Sequence, residues 1–303
     1  MKQLTPTSAK AIAATAYLFA FPLVMRYRQM SRQAIDATSP MFSGGFGTWL
    51  EGSVTEPRRS GSGRPMEDVV YSSTWLDLRG EPWWCALGDV PAEVSFVGSL
   101  VDLWGFLIAD LEPGRSGPVL ASSPAPVRGV PDQVEAVVRG ESEFVQVCTE
   151  SRWSDPYRLP GVPPVRPDLV LEPLSAHLGR PAPRPAAAMT WSPWFEGLEA
   201  TDEFWACANF VLSLTEPNPD DRSILERIAQ IGVIPGAPWT PSAHPEAVLE
   251  AIRDGMDDAI SDLLEGAVGA DVCRRPRTRR ADMDRDYFSR ALAALCPSVR
   301  VDG

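Results

Sequence analysis

An acidic pair and a tyrosine lie in the alternating stretch Met66–Leu78, and they are the residues of this chain best suited to proton transfer. Glu67 and Asp68 are neighbours, so in an extended segment their side chains point to opposite faces, and Tyr71 shares the face of Glu67. If that face looks into a β barrel, burial would raise the pKa of the carboxyl and make it an acid–base partner of the phenol. The alternative is a solvated turn before a strand. We therefore name Glu67, Asp68 and Tyr71 as candidate catalytic residues.

Tryptophan is abundant, with ten residues in the chain. Core packing is one explanation. The other is a β barrel that holds a large apolar ligand, because an indole offers contact area, few rotatable bonds and one N–H donor. Neighbours in a strand face opposite ways, so one of Trp83 and Trp84 is expected to face the interior. The residues predicted to bind substrate are Trp49, Trp75, Trp84, Trp104 and Arg79.

Arg79 lies close in sequence to two acidic residues that end apolar runs. Asp77 and Asp102 each follow strand-like residues and precede a turn. That position favours a role at a strand end over catalysis. We expect Arg79 to pair with one of these two carboxylates.

The residues exclude several common chemistries. The two histidines, His177 and His244, lie beside proline or glycine in loop-like sequence and outside any ligand-spaced cluster. A zinc site or a Ser-His-Asp triad would need such a cluster or a nearby nucleophile. The sequence also has no nucleophile elbow, phosphate-binding loop or dinucleotide fingerprint. We predict no metal and no cofactor.

The composition indicates an acidic globular protein. The 303 residues carry a formal charge of −12, with a pI near 4.7. Nucleic acid is therefore not an expected partner, because phosphate contacts need a basic surface. The basic run Arg274–Arg280 is local and is interpreted as a solvated linker. Only two of the 28 basic residues are lysine and 30 residues are proline, which indicates a GC-rich genome such as that of an actinobacterium.

The cysteines and the apolar N-terminal stretch favour a cytoplasmic location. The five cysteines are scattered and form no C-x-x-C pair, so buried reduced thiols are expected. The apolar run Ala11–Met25 is interrupted by Pro22 and is shorter than the roughly 20 residues that span a bilayer. It also lacks a small-x-small cleavage site. We predict a buried helix and no membrane partner.

Periodicity predicts an N-terminal helix and then a β region. The helix is expected over residues 8–35, capped by Thr7 or Ser8 and kinked or divided at Pro22. Short alternating runs separated by Gly and Pro follow, and this spacing is typical of a β sandwich or barrel. The predicted strands are Val69–Leu78, Trp83–Leu87, Val94–Leu103, Gly105–Leu111, Pro118–Ala121, Glu143–Cys148 and Leu169–Leu171. Gln133–Val138 fits either a strand or a short helix.

Helical periodicity returns in the last part of the chain. Pro160–Pro185 is proline-dense and is expected to be an extended connector or an edge strand. Asp220–Ser223 is expected to cap one helix, and Gly232 is expected to end it. The predicted helices are Phe195–Leu214, Ile224–Ile231, Pro245–Glu265 and Asp282–Leu295.

The predicted fold class is α+β. An antiparallel β sandwich or barrel domain is expected to carry an N-terminal helix and a C-terminal helical subdomain. The predicted boundaries are 1–40 for the helix, 41–185 for the β domain and 186–303 for the helical subdomain.

Three stretches of the chain carry a resemblance to a known family. Ala16–Val24 is similar to its opening helix. Tyr71–Leu78, followed by Glu81-Pro82, is similar to its signature strand and turn. Asn218–Asp221, with Ile231–Gly236, is similar to its helical connector. The chain thus resembles the domain-of-unknown-function family twelve fifty-four, which implies this β-then-helix layout and leaves the chemistry open.

The chain also departs from that family. Members usually carry Asn-x-Asp-Thr before the Tyr-Ser pair, whereas this chain has Met66–Val69, so only Asp68 matches. The usual Arg-Tyr-Tyr of the following strand is replaced by Val94–Phe96 or nearby residues. Longer relatives continue into a second β domain, and Asp286–Ala291 looks like a remnant of its lead-in. The resemblance therefore implies a shortened, diverged member that lacks the usual second C-terminal β domain.

These features favour a cofactor-independent enzyme of bacterial secondary metabolism. It would cyclise, dehydrate or isomerise a polyketide-like intermediate by acid–base chemistry in an aromatic pocket. The alternatives are a non-catalytic protein that binds or carries an apolar metabolite, and a catabolic hydrolase or lyase. The expected partner is a small apolar substrate. A homodimer is a further hypothesis, because a shortened chain would leave an apolar face to cover.

Overall fold

The chain forms two compact units. The computed structural model describes residues 4–56, 67–91, 94–111, 119–123, 127, 129–153, 168–268, 278–282 and 285–295, without the side chains of 53–56, 67–69, 119 and 153. One unit, here called the helical unit, takes Met1–Ser31, Leu103–Gly105 and Ala188–Pro297. The other, the sheet unit, includes Arg32–Asp102 and Phe106–Ala187. Helices from both ends of the chain therefore belong to one unit.

Six α-helices and nine strands make up the regular structure of the described residues. The helices are α1 (Pro6–Met30), α2 (Leu174–His177), α3 (Glu203–Leu212), α4 (Arg222–Ile228), α5 (Glu246–Ala267) and α6 (Tyr287–Ala294). The strands are β1 (Leu50–Glu56), β2 (Glu67–Asp77), β3 (Trp83–Leu87), β4 (Val94–Asp102), β5 (Leu107–Leu111), β6 (Val119–Ser122), β7 (Ala136–Arg139), β8 (Phe144–Trp153) and β9 (Leu169–Pro173). A π-helical turn, Ser31–Ile35, follows α1.

Helix α1 begins earlier than its sequence predicts. Thr5 is the N-cap: its hydroxyl accepts from the Ser8 N–H at 3.3 Å, and its own N–H donates to Ser8 Oγ at 3.1 Å. The prediction of Thr7 or Ser8 as the cap is wrong, because Pro6 takes the first helical position, where its missing N–H costs nothing. Division of the helix at Pro22 is also wrong, since α1 continues through this residue.

Helix α1 packs against α3, α4, α5 and α6 in the helical unit. Together with the turn that follows it, as Pro6–Ile35, it is the one described helix with the length and apolar composition to cross a membrane. Core helices of soluble proteins and signal sequences meet the same criterion, and 61% of its most apolar window is buried.

Two buried phenols of α1 predict a loss of stability at alkaline pH. Tyr17 donates to the carbonyl of Glu199 at 3.1 Å, and Tyr27 donates to that of Ser192 at 2.5 Å. Burial is the main cause that raises the pKa of both phenols. Above their ordinary pKa of about 10, the unfolded chain releases protons that the folded chain retains. The free energy of unfolding should therefore fall above pH 10, by about 1.4 kcal/mol per pH unit for each phenol.

Urea unfolding between about pH 9 and 11 measures this loss. Changing Tyr17 and Tyr27 to phenylalanine should make the profile less steep, because neither ring can then ionise. A wild-type profile as flat as that of the double variant would contradict the prediction.

The sheet unit is a sandwich of two sheets. The five-stranded sheet has the order β1-β2-β8-β4-β5 and is antiparallel throughout. The four-stranded sheet has the order β7-β6-β3-β9, and its β6–β7 pair is parallel. Apolar residues of both sheets meet in one core, namely Leu76, Leu100, Ala109, Leu111, Val145 and Val147 from the first and Cys85 and Ala121 from the second. The α+β fold class with a β sandwich is confirmed, with a second sheet that is mixed.

Several local predictions have a definite outcome. Gln133–Val138, which sequence left open, contributes to strand β7. The strand Leu169–Pro173 lies at a sheet edge, as expected for the proline-dense segment. Gly232 has a left-handed φ of 86° at the end of the turn after α4. The described cysteines are free and buried, namely Cys85, Cys148 and Cys207. Cys273, Cys296 and Arg274–Arg277 of the basic run lie outside the described residues.

Candidate functional site

One face of the five-stranded sheet is polar although it is buried. The register aligns Ser73 of β2, Cys148 of β8 and Ser99 of β4, and directly paired residues share a face. Two residues further along on the same face, Trp75 pairs with Gln146. All five residues are buried. The opposite face of these strands supplies the apolar core between the sheets.

Gln33 brings a second amide to this face from the π-helical turn. Its Oε1 accepts from Trp75 Nε1–H at 2.9 Å and from Gln146 Nε2–H at 3.2 Å. One carbonyl oxygen thus links the indole of β2 to the amide of β8. We call Gln33, Ser73, Ser99 and Gln146 the glutamine–serine cluster.

Tyr71 lies on the same face, beyond Ser73. It is half-buried and pairs in register with Glu150 of β8, which itself pairs with the exposed Val97 of β4. Arg152 donates from Nε to Glu150 Oε1. The structure therefore places a phenol, a carboxylate and a guanidinium on neighbouring positions of one sheet face. Of the predicted catalytic residues, Tyr71 shares a face with the predicted substrate-binding residue Trp75.

The predicted acidic pair lies at the start of β2. Glu67 pairs with Glu56 and Asp68 pairs with Thr55 of β1. The side chains of Glu67 and Asp68 lie outside the described residues. Their catalytic role stays a prediction.

Three of the predicted pocket tryptophans belong to the sheet unit and lie on different surfaces of it. Trp49 packs against the apolar core between the sheets, whereas Trp75 lies on the polar face described above. Trp84 is buried on the outer face of the four-stranded sheet. Trp104 belongs to the helical unit, where Phe19 packs on it at 5.2 Å and the Arg290 guanidinium lies 5.4 Å from its ring centre. Each of the four tryptophans therefore lies in a different local environment.

Arg79 is held by Asp77, one of the two partners expected from sequence. Its Nε donates to Oδ1 at 2.9 Å and its Nη2 to Oδ2 at 2.7 Å, and this hydrogen bonding is the main cause that raises the pKa of Arg79. The guanidinium also lies 5.2 Å from the Phe144 ring centre. Asp102 accepts instead from the N–H groups of Phe106 at 2.9 Å and Glu141 at 3.3 Å. Both aspartates thus fix strand ends, as predicted.

A carboxylate–imidazole pair on the four-stranded sheet was missed by the sequence analysis. His177 Nδ1 lies 2.9 Å from Glu172 Oε1, and its ring stacks on Trp84 with centres 3.8 Å apart and planes at 11°. Trp84 and Glu172 are paired directly between β3 and β9. The His177 side chain is 22% exposed. These three residues are called the histidine site below.

Short-range contacts create the histidine site. Strand β9 ends at Pro173, and α2 follows at once, so the chain turns between Glu172 and His177. Ser175 donates to the Glu81 carboxylate from its N–H at 2.7 Å and its hydroxyl at 2.8 Å, which anchors α2 to the segment before β3. The presence of Glu172 five residues before His177 is the one sequence signal available for this pair.

His244, the other histidine, has a structural role. Its Nε2 lies 3.2 Å from the carbonyl oxygen of Ile231, which also accepts from Trp239 Nε1–H at 3.1 Å. Among the described residues, no three His, Cys, Asp or Glu side chains converge in a way that could hold a metal ion.

Known proteins resemble this chain in two ways, through a family model that matches the β region and through solved structures with a similar fold. Residues 51–173 match the model of a family described as "Protein of unknown function (DUF1254)". The crystal structure of the VPA0106 protein from Vibrio parahaemolyticus is similar over 95% of this chain, with 18% identity and a TM-score of 0.68. This chain spans 66% of that protein's length, and at this identity the likeness shows the shared fold.

A weaker match involves an uncharacterised protein from Burkholderia cenocepacia. It has 14% identity and a TM-score of 0.24 and covers 59% of this chain and 51% of that chain, which is too little similarity to support an argument. No curated protein matches the chain. The family model matches the same region that the sequence resemblance singled out around Tyr71–Leu78. Residues 51–173 therefore match the DUF1254 family model, which confirms the resemblance over this region.

Proposed function

We propose that this chain is a cofactor-independent enzyme in which His177, oriented by Glu172, moves a proton on a small apolar substrate. The observation that carries the proposal is the 2.9 Å contact between His177 Nδ1 and Glu172 Oε1 beside the Trp84 ring. The proposed reaction is the cyclisation, dehydration or isomerisation of a polyketide-like intermediate, and the proposed setting is bacterial secondary metabolism.

The carboxylate favours one tautomer of the imidazole. When Glu172 accepts the Nδ1–H, the basic lone pair of His177 is on Nε2. This nitrogen can take a proton from a carbon next to a substrate carbonyl. It then returns the proton to another carbon, which isomerises the substrate, or to a departing hydroxyl group, which leaves as water. Glu172 stabilises the positive charge that the imidazole carries between the two steps.

Trp84 orients the imidazole without blocking its basic edge. A ring nitrogen accepts a proton in the plane of the ring, whereas the parallel stack covers one face of the ring. The His177 side chain is 22% exposed, and access of this kind is what a small substrate requires. A second candidate acid–base set lies on the five-stranded sheet and consists of Glu67, Asp68 and Tyr71.

A cytoplasmic location is part of the proposal. The free thiols of Cys85, Cys148 and Cys207 support a reducing compartment. The net charge of −12 supports a small molecule over nucleic acid as the partner. A homodimer remains a hypothesis that size-exclusion chromatography with light scattering can test.

The first experiment compares metabolites of a strain that lacks the gene with those of its parent by mass spectrometry. An accumulated isomer of the end product would indicate cyclisation or isomerisation, and a species heavier by one water would indicate dehydration. An unchanged profile would count against the enzyme and favour a carrier protein.

Variants then test the histidine site with the accumulated species as substrate. We expect His177→Ala to lower the rate of conversion about 100-fold or more, because general acid–base catalysis contributes about 10²–10⁴-fold. Glu172→Gln should lower it about 10-fold, since the imidazole loses its charged partner. His244→Gln is the matched control and should convert substrate at the wild-type rate. Full activity of a folded His177→Ala protein would disprove the role of this residue.

A further inference from the structure

The glutamine–serine cluster contains four polar atoms whose hydrogen bonding is incomplete. Ser73 Oγ, Ser99 Oγ, Gln33 Nε2 and Gln146 Oε1 have no hydrogen-bond partner within the described part of the chain. Each of these residues is 2% exposed or less. Buried polar groups in folded proteins almost always have partners, because an unpaired one costs free energy.

The four atoms belong to one small area. Ser73 and Ser99 flank Cys148 at the same register position on adjacent strands, so their Cα atoms lie about 5 Å on either side of the central strand. Gln146 is two residues along β8 from Cys148, and its amide bonds to Gln33. A molecule on this face could therefore contact several of the four atoms at once.

The chemistry of the cluster selects an uncharged partner. Gln33 Nε2 can donate, Gln146 Oε1 can accept, and the two serine hydroxyls can do either. The cluster itself has no charged side chain. On the same face, Asp110 of β5 pairs in register with Ser99, so a buried anion would lie close to a carboxylate, which costs free energy. Asp110 is only half-buried and already has another interaction, and the next charged residues in register, Glu150 and Arg152, form an ion pair with each other.

We propose that the glutamine–serine cluster binds a small uncharged group that both donates and accepts hydrogen bonds. Water and the hydroxyl or primary amide head of an organic ligand share this chemistry. The body of an organic ligand would extend along the sheet face toward Tyr71 and Val97, where side chains are more exposed. This site is independent of the proposed catalysis at His177, because the histidine site lies on the other sheet, with the apolar core between them.

Crystal structures of the full chain test the proposal directly. Crystals are examined without additive, with acetamide, and with N,N-dimethylacetamide, which accepts hydrogen bonds but cannot donate them. We expect density within hydrogen-bond distance of at least two of the four atoms. A single-atom peak that persists in acetamide identifies water, and a planar acetamide molecule identifies an organic head group. Side chains that bond only to one another, with no density beside them, would overturn the proposal.

A second test, in solution, is whether removal of the two serine hydroxyls lowers or raises the melting temperature. If the hydroxyls are paired with a bound molecule, Ser73→Ala with Ser99→Ala should lower the melting temperature by about 2 °C or more per hydroxyl. If they are unpaired, the same changes remove buried polar atoms without partners and should raise it, which would contradict the proposal. Ser95→Ala, an exposed serine on the same strand and face as Ser99, is the matched control. If the double variant does not fold, the melting temperature of the single Ser99→Ala variant is measured instead. A decrease would support the proposal and an increase would contradict it.

Discussion

Replacing Asn209 with leucine is expected to lower the free energy of unfolding by about 3 kcal/mol. Asn209 is a 1% exposed residue of α3 whose side chain holds the loop after α4. Its Nδ2 donates to the carbonyls of Gly232 and Ala237, both at 3.0 Å, and its Oδ1 accepts from the N–H of Ile234 at 2.8 Å. Leucine has a similar size and can make none of these bonds. Three backbone groups would lose their partners, at a cost of about 1 kcal/mol each because they are only partly buried.

Asn209→Asp separates hydrogen bonding from packing. The carboxylate could still accept from Ile234, but it would face the carbonyl oxygens of Gly232 and Ala237 without a donor to offer them. We expect this variant to be destabilised as well, and more at pH 7 than at acidic pH, where a protonated carboxyl can donate.

Urea unfolding of the two Asn209 variants is compared with that of Ala206→Gln, an exposed change on the same helix. The control should stay within about 0.5 kcal/mol of the wild type. If Asn209→Leu were as stable as this control, the loop would not depend on the side-chain bonds.

Elements with strong periodicity were predicted well from the sequence. Strand β2 was expected at Val69–Leu78 and spans Glu67–Asp77, because alternating apolar residues and a turn after Leu78 define it locally. Strand β1 was missed, because Leu50–Glu56 contains two glutamates, a glycine and a serine and has little apolar character. It forms through its pairing with β2, which is a tertiary contact.

The contacts of the candidate sites were harder to predict than the elements. Arg79 and Asp77 are two residues apart, so their pairing could be expected from sequence. Gln33 is 42 residues from Trp75 and 113 residues from Gln146, and periodicity contains no information about such long-range contacts. The Glu172–His177 contact is local, but it depends on a strand that ends directly in a helical turn. The sequence predicted a strand at Leu169–Leu171 in a segment interpreted as an extended connector or an edge strand, but it did not predict the helical turn that follows.

The second large effect is expected for Gly255→Ala in helix α5. An added Cβ would overlap the carbonyl oxygen of Lys10 on α1 and would lie 3.0 Å from the Cβ of Ala13. Alanine would favour the helix by about 1 kcal/mol in isolation. The overlap is with backbone, however, so α1 and α5 would have to separate along a buried interface. We expect this separation to dominate and to lower the free energy of unfolding by about 3 kcal/mol.

Gly266→Ala provides a matched control for this prediction, since it is the same substitution on the same helix. Its added Cβ would meet the outer end of the Phe288 ring at 2.8 Å, and a side chain can rotate away where a backbone oxygen cannot. The loss at Gly266 should therefore be well below that at Gly255, when both are measured by urea unfolding. Equal losses of stability at the two positions would mean that α1 and α5 separate at no greater cost in free energy than the rotation of the Phe288 ring. The close approach of α1 and α5 would then not be the reason for glycine at position 255.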